Sequence, residues 1–227
     1  MAESKRTRGA CAYCGREFTR AGMARHLATC KERAAAIQAA DGRPGTAVPL
    51  IHLQVQDAWG GDFWLQLEMS GTSTLKALDS YLRAIWLECC GHMSQFSAGG
   101  WRGGELGMGR KAAAVFEPGT EIEHTYDFGT SSVTLIRAIA VREGKPTTRH
   151  PIALMARNAQ PVYPCQECGG PATRLCAQCV YEDERHGTLC DAHAQDHPHD
   201  DYGEPMPLLN SPRSGMCGYD GPAVAPY

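Results

Sequence analysis

Apolar and polar residues alternate most regularly between residues 48 and 158, and there the pattern predicts the elements of a single core. The string VPLIHLQVQ alternates as a half-buried strand does, and FWLQLEM repeats the pattern after AWGGD. Together they predict a β-hairpin with a Gly-Gly turn. Ser73 or Thr74 is then placed to cap a helix on which Leu75, Leu78, Leu82, Ile85, Trp86 and Cys89 form one stripe. A strand around MSQFSA, a glycine-rich loop (GGWRGGELGMGR) and three further strands (TEIEHTYDF, SVTLIRAIAV, IALMARN) follow. The expected class is α+β: a mostly antiparallel sheet with one packed helix.

Outside this stretch the strand pattern ends. KERAAAIQAA reads as a helix and runs into the turn-forming DGRPG, while NAQPVYP reads as a second linker. These breaks divide the chain into a head (1–33), a linker (34–46), the α+β domain (47–158), a short linker (159–164) and a tail (165–227).

The hydrophobic fraction of 43% and charged fraction of 21% suit a globular protein. No apolar run approaches the roughly twenty residues a membrane helix needs, so no span is expected. MAESKRTRG is basic with no apolar stretch behind it, unlike a secretory leader, and the expected location is cytoplasmic. Most of the eleven cysteines fall in CxxC-type clusters interleaved with histidine. In a reducing compartment that pattern reads as metal ligation, because thiolates are good soft ligands for zinc.

Charge is unevenly spread. Residues 1–33 hold eight Lys/Arg against three Asp/Glu, and residues 165–227 hold three against ten. A polyanion would meet the head and not the tail.

In the head, Cys11-x2-Cys14-x11-His26-x3-Cys30 sets two thiolates on a tight knuckle and a His and a Cys one helical turn apart. Tetrahedral zinc needs that arrangement. Phe18 and Met23 fall about where a ββα finger buries its small core, so the head is similar to a Cys-Cys-His-Cys variant of that fold. Arg16, Arg20 and Arg25 are its candidate nucleic-acid contacts, for DNA or RNA, although one finger reads only about three base pairs. Against this stands the plain alternative of a zinc-stabilised knob with solvated arginines.

The tail carries Cys165-x2-Cys168-x7-Cys176-x2-Cys179-x10-Cys190-x2-His193-x3-His197-x1-His199, eight candidates within 35 residues. Eight ligands suffice for two closed tetrahedral sites. Sequential and interleaved pairings are both possible, but seven residues is a tight span for two knuckles to face one metal. The interleaved order gives Cys165, Cys168, Cys190 and His193 to one ion, and Cys176, Cys179, His197 and His199 to the other. This spacing resembles B-box and MYND-type modules. His199 is the weakest member, with Cys217 and His186 as alternatives. Three structural zinc ions are therefore expected in all. Catalytic zinc keeps an open position, and neither HExxH nor HxE followed by PCxxC occurs, so no enzyme is expected.

The central domain carries LECCGHMSQF, with His92 and Phe96, and later Tyr126-Asp127-Phe128-Gly129. These strings resemble the plasmid pRiA4b ORF-3-like family, whose domain pairs an H-x3-F string with a strand reading Y-DFGD-W-H. The likeness covers roughly residues 48–158 and departs after Gly129, where Thr130 replaces the expected Asp. Some relatives carry a comparable Cys/His tail and a string like NSPRSGMCGYDG. The resemblance implies an α+β fold and a bacterial or mobile-element origin, without an activity. Tyr126, Asp127, His92 and His124 allow a catalytic reading; the structural one has Gly129 permitting a bend, Phe128 buried and Asp127 bonded to nearby backbone. Trp101, Arg102 and Arg110 mark the glycine-rich loop as either a binding loop or plain surface. The functional expectation is a non-enzymatic zinc protein that contacts nucleic acid through its head, with a protein adaptor using the tail as the alternative.

Overall fold

A computed structural model describes residues 7–100, 103–199 and 201–227. In chain order the elements of the first half are β1 (Arg8–Cys11), β2 (Glu17–Thr19), α1 (Arg20–Thr29), α2 (Lys31–Asp41), β3 (Val48–Asp57), β4 (Trp64–Ser70), α3 (Leu75–Leu82), β5 (Ser94–Ala98) and β6 (Gly104–Leu106). They are followed by β7 (Glu121–Tyr126), β8 (Ser132–Gly144), β9 (Ile152–Asn158), β10 (Arg174–Leu175), α4 (Ala177–Tyr181), β11 (Thr188–Leu189), α5 (Asp191–Gln195) and β12 (Met206–Pro207). Nine strands form one antiparallel sheet in the order β2-β1-β9-β4-β3-β8-β7-β5-β6. A second, three-stranded sheet has the order β11-β10-β12. The class is α+β, and no helix among the described residues is long and apolar enough to cross a membrane.

The alternation in β4 explains how the layers stack. Leu65, Leu67 and Met69 point into the main core, where they meet Leu75, Leu78, Leu82, Ile85 and Trp86. Trp64 points the other way and packs with Met23 and Leu27 of α1. The polar residues between the apolar ones predict a solvated outer face, yet every residue of β4 is buried. That face is covered by the N-terminal helices, and its polar groups find partners beneath them. Gln66 pairs with His52 (2.6 Å) and Gln54 (3.2 Å). Glu68 accepts from Arg33 (3.0 Å) and from Arg142 (2.7 and 3.0 Å). The head is thus built onto the sheet, with β1 pairing β9 from Gly9↔Asn158 to Cys11↔Ala156.

Three local details differ from expectation. The β3–β4 connection is wider than a two-residue turn: the Asp57 carboxylate accepts from Gly60, Gly61 and Phe63 N–H groups. Thr74 is the N-cap of α3 but makes no side-chain capping bond. Instead the glycine-rich loop does that work, its Arg110 and Met108 carbonyls accepting from the N–H groups of Leu75 and Lys76. Finally, α3 does not run on to Cys89: it widens into a π-helical turn over Arg83–Leu87 and ends there. Trp101 and Arg102 lie outside the described residues, and Arg110 is exposed.

After the small sheet the chain returns to the central domain. The Asn158 amide donates to Asn210 Oδ1 and the Asn210 amide to the Asn158 backbone carbonyl (both 2.8 Å), Ser211 donates to the Trp86 carbonyl (2.6 Å), and Tyr227 stacks on His150 with 4.1 Å between ring centres.

Candidate metal centres

In the head, β1 delivers Cys11 and a turn closed by Gly15 N–H to the Cys11 carbonyl (2.8 Å) presents Cys14. Gly15 has φ of 71°, which glycine adopts without steric cost. His26 comes from α1 and Cys30 from the residue that caps its end; Thr19 starts the helix, its hydroxyl accepting from Gly22 N–H. Cys14 Sγ lies 3.2 Å from His26 Nε2, and Phe18 stacks on the His26 ring at 4.3 Å. All four donor atoms lie within 4.8 Å of one another. Burial pushes the Cys30 thiol up to about 11, so a cation bound there would have to displace its proton.

The tail gathers its ligands in the interleaved order. Cys165, Cys168, Cys190 and His193 form one group, and Cys176, Cys179, His197 and His199 the other, each with its donor atoms within 4.8 Å. Cys190 Sγ is 3.2 Å from His193 Nδ1, while Cys179 Sγ is 3.3 Å from His197 Nε2 and 3.4 Å from His199 Nδ1. Burial opposes the Cys165 thiolate, but the N–H groups of Cys190, Glu167 and Cys168 outweigh it and bring its pKa to about 6. The backbone around Cys165 therefore favours the ligating form of that sulfur, whereas burial pushes the Cys179 thiol up. His199 Nε2 sits 3.6 Å from the Asp183 carboxylate, the kind of outer partner that orients a ligating imidazole. Of the alternatives for the last position, His186 is exposed on a loop and Cys217 lies elsewhere.

All three groups fit a soft divalent cation: thiolates and imidazoles in sets of four, converging from a knuckle and a helix or loop. The module around the tail sites has little else to hold it. Its buried cluster consists of Cys165, Cys176, Cys179 and Leu189.

The arginines of the head are placed differently from one another. Arg16 and Arg25 are exposed, and Arg16 lies over the Phe18 ring at 5.3 Å. Arg20 is half-buried and reaches the Gly61 carbonyl at 3.4 Å.

The Tyr126-Asp127-Phe128-Gly129 string also departs from its expected form. Asp127, not Gly129, takes the left-handed conformation, with φ of 64°. Phe128 is 38% exposed and not buried, because the turn at Asp127 swings it out of the strand's alternation. The Asp127 carboxylate does bond backbone, accepting from Gly129 N–H at 2.9 Å, and its other oxygen accepts from Arg213 at 2.6 Å. His124 is fully buried and paired with Asp79 at 2.8 Å.

A fourth group appears that ligand spacing does not announce: Cys89, Cys90, His92 and Cys217, again within 4.8 Å. Cys90 and Cys217 alone are 127 positions apart, so only the tertiary fold joins the group. The molecule is thus an α+β protein with four Cys/His groups among its described residues, each able to hold a metal ion. Neither a family model nor a curated protein matches the chain. Among solved structures, the protein of unknown function MM3350 from Methanosarcina mazei Go1 is similar at 18% identity, with a TM-score of 0.40. The likeness covers 47% of this chain and 67% of that one.

Proposed function

We propose that this chain is a zinc protein whose three spaced Cys/His groups hold structural ions, and that its head contacts nucleic acid. The first part rests on one observation: each group supplies four converging soft donors, enough to close a tetrahedral site. Zinc bound there stabilises small folds and leaves recognition to the surfaces around them. The second part is supported by the exposed Arg16 and Arg25 in a head with net positive charge. Arg20, bonded to the Gly61 carbonyl, positions α1 against the β3–β4 loop more than it reaches outward.

Mobility shifts at two salt concentrations test it. Binding at low salt should weaken as salt rises, because released counterions drive phosphate contacts, and Arg16→Ala with Arg25→Ala should weaken it further. No shift at low salt, or one unaffected by the double variant, would contradict the reading.

The tail supports a second reading as a protein-docking module. Tyr181 and Tyr202 are 53% and 52% exposed, with ring centres 6.3 Å apart, beside the exposed Glu182 and Asp183. Aromatic rings rimmed by acidic groups suit a basic protein surface. Capture of a partner that survives nuclease treatment and is lost in Tyr181→Ala/Tyr202→Ala would favour this reading over the first.

A further inference from the structure

Three strings of the sequence have no role in the closed sites: LECCGHMSQF, TYDFGT and NSPRSGMCGYDG. In the structure they meet at one place. We propose that Cys89, Cys90, His92 and Cys217 form a fourth metal site, open to solvent, that binds an exchangeable zinc-class cation and staples the C-terminal tail to the central domain.

The donors are close and of matched chemistry. His92 Nε2 lies 2.9 Å from Cys90 Sγ and 3.3 Å from Cys217 Sγ, and the two sulfurs are 3.7 Å apart. Cys89 Sγ stands 3.5 Å from Cys90 Sγ. Three thiols and an imidazole are a soft set that selects zinc-like ions over calcium or magnesium.

The surrounding structure holds these donors from several directions. The π-helical turn Arg83–Leu87 ends α3 so that Cys89 and Cys90 leave the helix on a loop; such turns recur at functional sites. Arg83 then pins that loop, donating to Glu88 (2.6 Å), the His92 carbonyl (2.6 Å) and Ser94 (2.9 Å). From the tail, the wholly buried Arg213 donates to Asp127 (2.6 Å), the Thr130 carbonyl (2.7 Å) and Ser132 (3.1 Å), and lies 3.5 Å from Cys89 Sγ. That anchor places Cys217, four positions on, against His92.

Backbone conformation points to the same spot. Among the described residues, the non-glycine positions with left-handed φ are Asp127 (64°), Glu184 (53°) and Cys217 (51°). Two of the three lie at this cluster: Cys217 is a donor, and the Asp127 carboxylate is 3.5 Å from His92 Nε2. A residue kept in that sparsely populated region is held there by its surroundings, and such residues gather at ligand sites. Each of the other three groups has at least one buried donor, whereas this one has none and is exposed at Cys90 and Cys217. Solvent therefore reaches the metal position, and exchange follows.

The test uses the full-length, fully reduced protein loaded with zinc and weighed under native conditions. Wild type should carry one zinc more than Cys90→Ser/Cys217→Ser, and more than His92→Gln. That ion should leave first when a weak chelator is added. Loaded with cobalt, wild type should show more thiolate-to-cobalt absorption than either variant. The substituted cysteines are exposed and serine is close in size, so both variants should fold. Equal metal counts in wild type and variants would overturn the proposal. The ions that the variants retain count the three closed sites separately, so a shortfall there bears on the proposed function and not on this site.

Discussion

The head and the tail module carry similar ligand knuckles but stand on different foundations. In the head, Met23 and Leu27 pack with Trp64, Met155 and Ala156, so its candidate metal site sits on the edge of a nine-stranded sheet. In the tail module the strands are two residues long and three of the four buried cluster residues are candidate cysteine ligands. The difference teaches that one ligand pattern can serve two purposes. A cation in the head would lock a turn that the sheet already supports, whereas in the tail it would replace the core.

Removing a ligand from each region should expose that contrast, and the tail should give the largest effect. Cys179→Ser should release both tail ions, because the interleaved groups share one frame, and open residues 165–207 to protease. Structural zinc contributes on the order of 10 kcal/mol to folds of this kind. Protection that survives the substitution would break the comparison. Cys14→Ser should release one ion yet leave Ala12 N–H bonded to the Met155 carbonyl, with its hydrogen exchange slow.

Next in size is the shared core of the head. Met23→Ala should destabilise the whole domain by about 3 kcal/mol in denaturant unfolding, a cavity cost, since Met23 is wholly buried. An effect confined to the head would show that head and sheet unfold separately. Glu68→Ala should cost about 2 kcal/mol by leaving Arg33 and Arg142 without their common carboxylate.

The smallest effect is a pH dependence beneath the head. Burial holds His52 below its ordinary value, more than its bond to Gln66 raises it. Below pH about 6.5 the unfolded chain takes up a proton that folded His52 refuses, so stability falls as pH drops from there towards the folded value. The slope cannot exceed about 1.4 kcal/mol per pH unit. Wild type minus His52→Gln, compared by denaturation at neutral and mildly acid pH, should show that slope; a pH-independent difference would contradict it.

Legibility followed sequence distance. The spacing within Cys11–Cys30 and within Cys165–His199 is set by knuckles and helical turns, which are local, and so it can be read directly. Strand alternation located β3, β4, β7, β8 and β9 for the same reason. The covering of β4's polar face was not legible, because Gln66 and Glu68 look solvent-facing until Arg33 and Arg142 are placed beside them. Nor was the cluster of Cys89, Cys90, His92 and Cys217, which depends on the π-helical turn and on Arg213 docking the tail. Phe128 was misread because strand alternation predicts burial there, whereas the left-handed Asp127 breaks it.

The most direct test of the account is the zinc content of the full-length protein after a mild chelator wash, read by native mass for wild type, Cys14→Ser and Cys179→Ser. Wild type should retain three ions, the first variant two and the second one. Wild type without bound zinc, or the same count in all three proteins, would contradict the assignment of these Cys/His groups as closed structural sites.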